Sequence, residues 1–88
     1  MRVAFTRNGW ENYLFWIGND LELVARINIL IEDARRYPFV GLGKPEPLRG
    51  RYAGWWSRRI NREHRFVYRV HGTGEEQTLE IAQCRYHY

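Results

Sequence analysis

Cysteine is nearly absent from this sequence, which has one cysteine, Cys84, among its 88 residues. A single cysteine cannot form an internal disulfide, so the fold is not one of the small frameworks that disulfides hold together. One thiol also excludes the multi-cysteine ligand sets of structural metal clusters. We therefore expect a core built from apolar packing, in a protein that resides in a reducing compartment.

Long apolar stretches are missing as well. No run of 18 apolar residues could span a bilayer, and the opening MRVAFTRNGW lacks the uninterrupted apolar segment of a secretory signal. We expect a soluble, cytoplasmic protein that has no membrane partner. Because a chain of this length buries only about 60–65% of its unfolded surface, residues 1–88 are expected to form one domain around one core.

Charge is distributed unevenly along the chain. Residues 1–43 carry five arginines and five acidic residues, residues 44–69 carry eight basic and two acidic residues, and residues 70–88 carry one arginine and three glutamates. The basic charge therefore lies in residues 44–69, here called the basic block, where aromatic residues are interleaved with the arginines. This composition suits phosphate contacts and base stacking, with a solvated basic face as the alternative.

The first half of the chain shows helical periodicity. RVAFT at residues 2–6 is a predicted strand, and Asn8 can cap a helix that follows it. The predicted buried stripe of that helix consists of Trp10, Tyr13, Leu14 and Ile17. Asn19 or Asp20 can cap a second helix, which must end just before Pro38 because proline disfavours helix in the preceding residue. Its predicted stripe consists of Leu23, Ile27, Leu30, Ile31 and Ala34.

The second half begins with a stiff loop and continues with strand periodicity. FVGLGKPEPL at residues 39–48 contains two glycines and two prolines, which prevent regular structure. In WWSRRIN and HRFVYRV alternate residues fall on an apolar and a largely basic face, and TLEIAQCR is the next predicted strand. The predicted fold class is α+β, with an N-terminal strand and a two-helix hairpin packed on an antiparallel sheet of about four strands.

Four residues suggest a chemistry. Glu46 is held between two prolines, His87 stands between two tyrosines, and Arg59 and Arg65 are expected on an exposed strand face. No Ser-His-Asp, H-E-x-x-H, Walker-type or dinucleotide glycine pattern is present. A carboxylate, an imidazole and guanidinium groups suit RNA cleavage through the ribose 2′-hydroxyl. One group removes the hydroxyl proton, another protonates the leaving 5′-oxygen, and cations stabilise the phosphorane.

Each candidate also has a purely structural interpretation. Glu46 can be a solvated loop carboxylate, Arg65 can belong to an exposed ion pair, and His87 can belong to a frayed terminus. His64 falls on the apolar strand face and is predicted to be a packed core imidazole. His71 lies beside a turn and is predicted to be exposed.

Five motifs, which together span nearly the whole chain, resemble those of one family. They are WENYLFW at 10–16, DARRYPFVG at 33–41, GKPEPL at 43–48, GWWSRRINREHRFVYRV at 54–70 and the terminal CRYHY. They resemble the YoeB/Txe toxins of the RelE superfamily, the ribosome-dependent mRNA interferases of type II toxin–antitoxin pairs. The resemblance implies a RelE-like fold and an endoribonuclease that cleaves mRNA in the ribosomal A site and inhibits translation.

The resemblance also implies residue roles. In that family the glutamate of the K-P-E-P motif is regarded as general base, the arginine of E-H-R as the phosphate-stabilising cation, and the penultimate histidine as general acid beside a terminal tyrosine. The corresponding catalytic residues here are Glu46, Arg65, His87 and Tyr88. The predicted contacts to RNA and ribosome are Lys44, Arg49, Arg51, Arg58 and Arg59. No metal and no cofactor is implied.

Partners follow from the same resemblance. They are mRNA on the ribosome, a cognate acidic antitoxin of the YefM/Axe type that covers the site, and a second copy of the chain in a homodimer, with DNA contacted only through the antitoxin complex. Two alternatives share a basic strand: a ParE-like toxin that acts on DNA gyrase without nuclease activity, and a non-catalytic RNA-binding module. Non-nuclease members generally lack the glutamate, arginine and terminal histidine present here.

Overall fold

The structure, a computed structural model, describes residues 1–87. The elements of the first half are strand β1 (Arg2–Phe5), helix α1 (Arg7–Asn19) and helix α2 (Leu21–Arg36). Those of the second half are β2 (Glu46–Pro47), β3 (Trp56–Arg59), β4 (Arg65–His71) and β5 (Thr78–Gln83), with short 3₁₀ turns at Gly50–Tyr52 and Gly74–Glu76. The predicted α+β class is confirmed.

The strands form one mixed sheet, in the order β1-β5-β4-β3-β2. β2 to β5 pair in antiparallel fashion, whereas β1 runs parallel to β5, with Arg2 opposite Thr78 and Phe5 opposite Ile81. The predicted N-terminal strand and about four antiparallel strands are present as β1 and as β2 to β5, but the sheet is mixed rather than fully antiparallel, because β1 joins it in parallel. The parallel pairing of β1 was not predicted because β1 pairs with the strand most distant from it in sequence. The residues around β1 carry no signal that identifies this partner.

Side-chain caps define the start of both helices. The hydroxyl of Thr6, rather than the predicted Asn8, accepts a hydrogen bond from the Gly9 N–H (3.1 Å) and caps α1. The carboxylate of Asp20 accepts from the Leu23 N–H (3.2 Å) and caps α2, as predicted. These caps satisfy amide groups that have no partner inside the helix, and Asp20 fixes the turn between the two helices.

Helix α1 buries a face different from the predicted one. Its buried residues are Gly9, Asn12 and Trp16. Trp10, Leu14 and Ile17, predicted to be buried, are each at least 45% exposed. The cause is the close packing of α1 on β5, where a Cβ atom at position 9 would clash with the carbonyl oxygen of Ile81. Gly9 therefore decides which side of the helix faces the sheet, and an apolar stripe cannot reveal that.

The core lies between the helices and one face of the sheet. Its buried members are Trp16, Ile27, Leu30, Ala34, Ile60, Phe66, Tyr68, Leu79, Ile81 and Cys84. Ile27, Leu30 and Ala34 confirm the predicted stripe of α2, and burying a large apolar side chain of this kind contributes about 1.5–3 kcal/mol. In the part of the chain that the structure describes, no helix combines the length and apolar character needed to cross a membrane.

Candidate active site

Strand pairing brings four polar side chains onto one face of the sheet. Glu46 of β2 lies opposite Ser57 of β3, and Arg59 of β3 lies opposite Arg65 of β4. Residues two apart on a strand share a face, and directly paired residues on neighbouring strands also share one. Glu46, Ser57, Arg59 and Arg65 therefore face the same side of the sheet.

A small cavity lies where these side chains meet. It has a volume of about 100 Å³, and its lining consists of Lys44, Glu46, Ser57, Arg59, Arg65 and His87. That volume equals roughly three molecules of liquid water, so the cavity suits a phosphate-sized group rather than a whole nucleotide. Three cations, one carboxylate and one imidazole thus surround a space fit for an anion.

The loop that carries Lys44 and Glu46 is attached to β3 by its backbone. The Arg59 N–H donates to the Gly43 carbonyl (2.7 Å), and Gly43 adopts φ +78°. A Cβ there would lie 2.9 Å from the Arg59 carbonyl oxygen, so only glycine allows this contact without a shift of the backbone. The next residue, Lys44, also has a positive φ of 54°. This tight turn directs Lys44 and Glu46 to the cavity.

Arg65 is oriented by the turn between β3 and β4. Its Nη1 donates to the carbonyls of Asn61 (2.9 Å), His64 (3.1 Å) and Arg62 (3.4 Å). The Asn61 carboxamide oxygen in turn accepts from the Glu63 and His64 amides (2.9 and 2.8 Å). The guanidinium is therefore held at the cavity wall by one terminal nitrogen. Arg65 does not form the predicted alternative ion pair with a neighbouring carboxylate among residues 1–87.

The segment after β5 is tied down before it reaches the cavity. The Cys84 N–H donates to the Asn12 side-chain oxygen (3.0 Å), and the Trp16 indole N–H donates to the Cys84 carbonyl (2.8 Å). The Arg85 guanidinium lies 3.5 Å from the centre of the Phe15 ring, a cation–π contact. His87 follows this anchored segment into the cavity lining, which does not fit the alternative of a frayed end. The other predicted residue of this segment, Tyr88, lies outside the described residues.

Arg58, predicted to contact RNA, is buried instead. Its side chain is 0% exposed, and its five N–H groups make hydrogen bonds to a carboxylate, a phenol and three carbonyls. The acceptors are Asp33 (2.6 Å), the Tyr68 hydroxyl (3.0 Å) and the carbonyls of Tyr37 (2.6 Å), Val40 (2.9 Å) and Leu42 (3.1 Å). With every donor used inside the protein, Arg58 cannot bind a phosphate, and the prediction for it is corrected.

The buried network around Arg58 shifts two pKa values. The Leu42 N–H and then the Arg58 guanidinium stabilise the carboxylate of Asp33 and hold its pKa below the ordinary 3.8. Burial raises the pKa of the Tyr68 phenol, although Arg58 opposes that shift. Asp33 is therefore ionised and Tyr68 is neutral at neutral pH. The network joins α2, β3 and β4 to the loop that leads to Lys44.

Arg49 and Arg51 lie outside the cavity. Both are exposed on the segment between β2 and β3, around the 3₁₀ turn at Gly50–Tyr52. The Arg51 guanidinium lies 5.6 Å from the centre of the neighbouring Tyr52 ring. The structure thus brings two of the five predicted RNA-contacting cations, Lys44 and Arg59, to the cavity and leaves these two on an exposed flank.

A second cationic groove contains residues that sequence reasoning missed. It has a volume of about 480 Å³, and its lining consists of Arg26, Arg59, Ile60, Asn61, Arg62 and Arg65. It shares Arg59 and Arg65 with the cavity, so the two adjoin. Arg26 reaches the groove from α2 by donating to the Ile60 carbonyl (3.3 Å). Nothing in the sequence around Arg26 indicates this position, whereas Arg62, inside the basic block and beside E-H-R, could have been found.

Two other features within residues 1–87 offer no comparable set of free polar groups. An open groove of about 460 Å³ along α2 contains Glu32 and Asp33, but both are engaged, with Arg35 and Arg58 respectively. Burial raises the pKa of the Cys84 thiol to about 12, so it stays protonated and is not a nucleophile. Among residues 1–87, no group of three or more histidine, cysteine, aspartate or glutamate side chains is placed to hold a metal ion.

Sequence comparison relates the chain to known proteins. The profile of a family described as YoeB-like toxin of bacterial type II toxin–antitoxin system matches residues 5–88. The toxin YoeB of Streptomyces coelicolor is 50% identical over 88 residues, and the alignment covers 100% of both chains. The similarity is therefore to whole proteins rather than to a fragment of larger ones.

Solved structures agree with this similarity. A structure named YoeB/ParE toxin from Agrobacterium tumefaciens has a TM-score of 0.96 and 57% identity, with 100% of both chains covered. Two structures from Staphylococcus aureus, a YoeB dimer and a heterotetrameric YoeB-YefM complex, have TM-scores of 0.85 and 0.87. Both are 38% identical and are covered over 98% of their chains and 100% of this one.

Proposed function

The chain belongs to the family of YoeB-like toxins of bacterial type II toxin–antitoxin systems, and on that premise we propose that it is a ribosome-dependent mRNA endoribonuclease. One observation carries the proposal: Glu46, Arg65 and His87 line the same phosphate-sized cavity. A proton acceptor, a cation and a proton donor within one cavity are what cleavage at a ribose 2′-hydroxyl requires.

The reaction is an attack within the RNA strand. Glu46 takes the proton of the 2′-hydroxyl, whose oxygen forms a bond to the adjacent phosphorus. The bond from phosphorus to the 5′-oxygen then breaks, and His87 gives its proton to that leaving oxygen. The products are a 2′,3′-cyclic phosphate and a free 5′-hydroxyl. DNA lacks the attacking hydroxyl, so the reaction is specific for RNA.

The cations around the cavity act on the phosphate. Arg65, held by three carbonyls, and the exposed Arg59 present positive charge where the phosphorane gains negative charge. Donors fixed before the reaction stabilise such charge without reorganising during it. Arg26 and Arg62 extend the positive surface along the adjoining groove, where they can contact neighbouring phosphates of the strand. Tyr88 stays a predicted member of the catalytic set.

Partners are proposed from the family and from charge. The S. aureus structures of a YoeB dimer and of a YoeB-YefM heterotetramer support a homodimer and a complex with an antitoxin of the YefM/Axe type. The net charge of +4 and the exposed cations at the cavity favour an acidic antitoxin that covers the site. Operator DNA is then contacted through the antitoxin. Because its substrate is translated mRNA, the toxin acts in the cytoplasm.

The test uses translating ribosomes with a defined mRNA. The purified chain is added, and the 3′ ends of the mRNA fragments are mapped and analysed for a cyclic phosphate. We expect cleavage at codons in the A site, and none in an otherwise identical mRNA whose nucleotide on the 5′ side of the scissile phosphate lacks the 2′-hydroxyl. An equimolar amount of acidic antitoxin should abolish the cleavage.

Two results would contradict the proposal. Intact mRNA on ribosomes, together with inhibition of DNA gyrase, would establish the ParE-like alternative. Binding to ribosomes without any new mRNA ends would indicate a non-catalytic RNA-binding module.

A further inference from the structure

His64 contacts the segment that carries His87. Its Nδ1 accepts a hydrogen bond from the Tyr86 N–H (2.8 Å), and its ring packs edge-on against Trp16 with 4.8 Å between ring centres. Only 8% of the residue is exposed, which confirms the prediction of a packed imidazole. Packing alone, however, does not require a nitrogen that accepts a hydrogen bond. The His64 ring uses its acceptor nitrogen to bind the backbone of the residue directly before His87.

The backbone of Tyr86 is held from both sides. Its N–H donates to the His64 ring, and its carbonyl accepts from the Arg65 N–H (2.9 Å). Its φ of 70° lies in the left-handed region, which a non-glycine residue occupies only where its surroundings hold it there. Two consecutive residues of E-H-R thus fix the turn from which His87 leaves toward the cavity.

We propose that His64 is a positioning residue for catalysis, whose Nδ1 holds the Tyr86 amide and thereby places His87 at the scissile phosphate. This inference rests on the proposed nuclease function. Because Nδ1 is the acceptor, it carries no proton, and the ring hydrogen lies on Nε2, 3.9 Å from the Glu63 carboxylate. The bond also sets the distance between the proton donor and the cation, because Arg65 holds the other side of Tyr86.

Three variants separate positioning from packing. His64→Phe keeps a ring against Trp16 but removes the acceptor. His64→Asn restores an acceptor oxygen near the place of Nδ1. His71→Phe makes the same substitution at an exposed histidine in β4, which lies outside the cavity lining, and serves as the matched control.

The measurements are the cleavage of ribosome-bound mRNA and the exchange of the Tyr86 amide hydrogen. We expect His64→Phe to lower kcat by about 10²-fold, the scale of a small misplacement of a reacting group, with KM nearly unchanged. His64→Asn should recover most of that loss, and His71→Phe should cleave like the wild type. The Tyr86 amide, followed by NMR of isotope-labelled protein, should be protected in the wild type and in His64→Asn, and exposed in His64→Phe.

Several results would overturn the inference. Wild-type kcat in a folded His64→Phe variant would do so, as would an equal loss of kcat in a folded His64→Asn variant. An unprotected Tyr86 amide in the wild type would overturn it even if His64→Phe does not fold. If the wild type leaves ribosome-bound mRNA intact, the proposed function fails. The exchange of the Tyr86 amide hydrogen still decides, in that case, whether His64 holds the backbone of Tyr86.

Discussion

Arg58 and Arg59 are neighbours on β3 and belong to opposite environments. Arg58 is buried, with all its donors bonded inside the protein, whereas Arg59 is exposed and lines the cavity and the adjoining groove. Adjacent strand residues face opposite sides of a sheet, so one side of β3 holds the fold together and the other faces the cavity. The same type of side chain therefore stabilises the fold at one position and lines the candidate site at the next.

The two regions differ in how their charges are balanced. The Asp33 carboxylate neutralises the Arg58 guanidinium, and a phenol and three carbonyls accept its remaining hydrogen bonds. This region therefore has neither an unbalanced charge nor a free donor on Arg58 that would attract an external partner. The cavity holds three cations and one carboxylate, so its field remains positive until an anion arrives. Substitutions in the first region should change unfolding, and those in the second should change chemistry.

The largest effect is expected at Arg58. Arg58→Met leaves Asp33 without its cation and three backbone carbonyls without their donor, and should lower the free energy of unfolding by about 3–5 kcal/mol. Denaturant unfolding measures it. Arg59→Met, the matched control on the exposed side of β3, should change the free energy by no more than about 0.5 kcal/mol. Equal effects at the two positions would remove the distinction between the regions.

The next effect concerns the cavity. Glu46→Gln removes the proton acceptor and Arg65→Ala removes the cation, and each should reduce mRNA cleavage on ribosomes by at least about 10²-fold. Their unfolding curves should stay close to the wild type. Glu75→Gln, a matched change at an exposed position on the 3₁₀ turn at Gly74–Glu76, should cleave normally. Near-normal cleavage by Glu46→Gln would exclude Glu46 as general base.

Acid should weaken the buried network. Because the pKa of Asp33 is lower in the folded protein than its ordinary 3.8, the folded state favours the ionised form. The stabilisation is complete above the ordinary pKa and is lost as the pH falls through 3.8 toward the folded value. Asp33→Asn does not titrate, so the stability difference between wild type and this variant should shrink in acid. A difference that is constant from neutral pH to below 3.8 would contradict this account.

The smallest effect is expected in the groove beside the cavity. If Arg62 contacts one phosphate, Arg62→Ala should reduce the slope of log affinity for ribosomes against log salt by about 1. Arg7→Ala, which changes an exposed arginine of α1 whose side chain is 93% exposed, should leave the slope unchanged. An unaltered slope for Arg62→Ala would show that the RNA strand does not lie along this groove.

The sequence predicted the elements better than their environments. Helix α2, its Asp20 cap and strands β3 to β5 follow from periodicity and turn residues, because these signals are local. Strand β2 lies within residues 39–48, which were predicted to lack regular structure, because its pairing with β3 leaves no local signal. The alternation along β3 was enough to predict that Arg58 is buried. The prediction for Arg58 followed the number of basic residues in the basic block instead. The face of α1 depends on Gly9 meeting Ile81, and the partner of β1 depends on Thr78 to Ile81. Such contacts between distant segments leave no periodic signal.

The candidate site divides in the same way. Glu46, Arg65 and His87 were found through chemistry and family resemblance, and the structure brings all three to one cavity. Ser57 and Arg26 were missed, since a strand register and a helix packing against Ile60 place them there. The hydrogen bond between His64 and Tyr86 joins residues 22 positions apart, so it could not be predicted from the sequence alone.

The position of β5 has a consequence for biosynthesis. β5 lies between β1 and β4 and packs against α1, yet a ribosome makes it after all three. Until β5 emerges, β1 has no neighbour in the sheet and α1 lacks the strand against which Gly9 packs, so the nascent chain cannot close its most distant contacts. His64 and Arg65, which hold the Tyr86 backbone, also cannot bind it before Tyr86 has been made. Completion of the sheet and completion of the cavity are thus one late event in the synthesis of the chain.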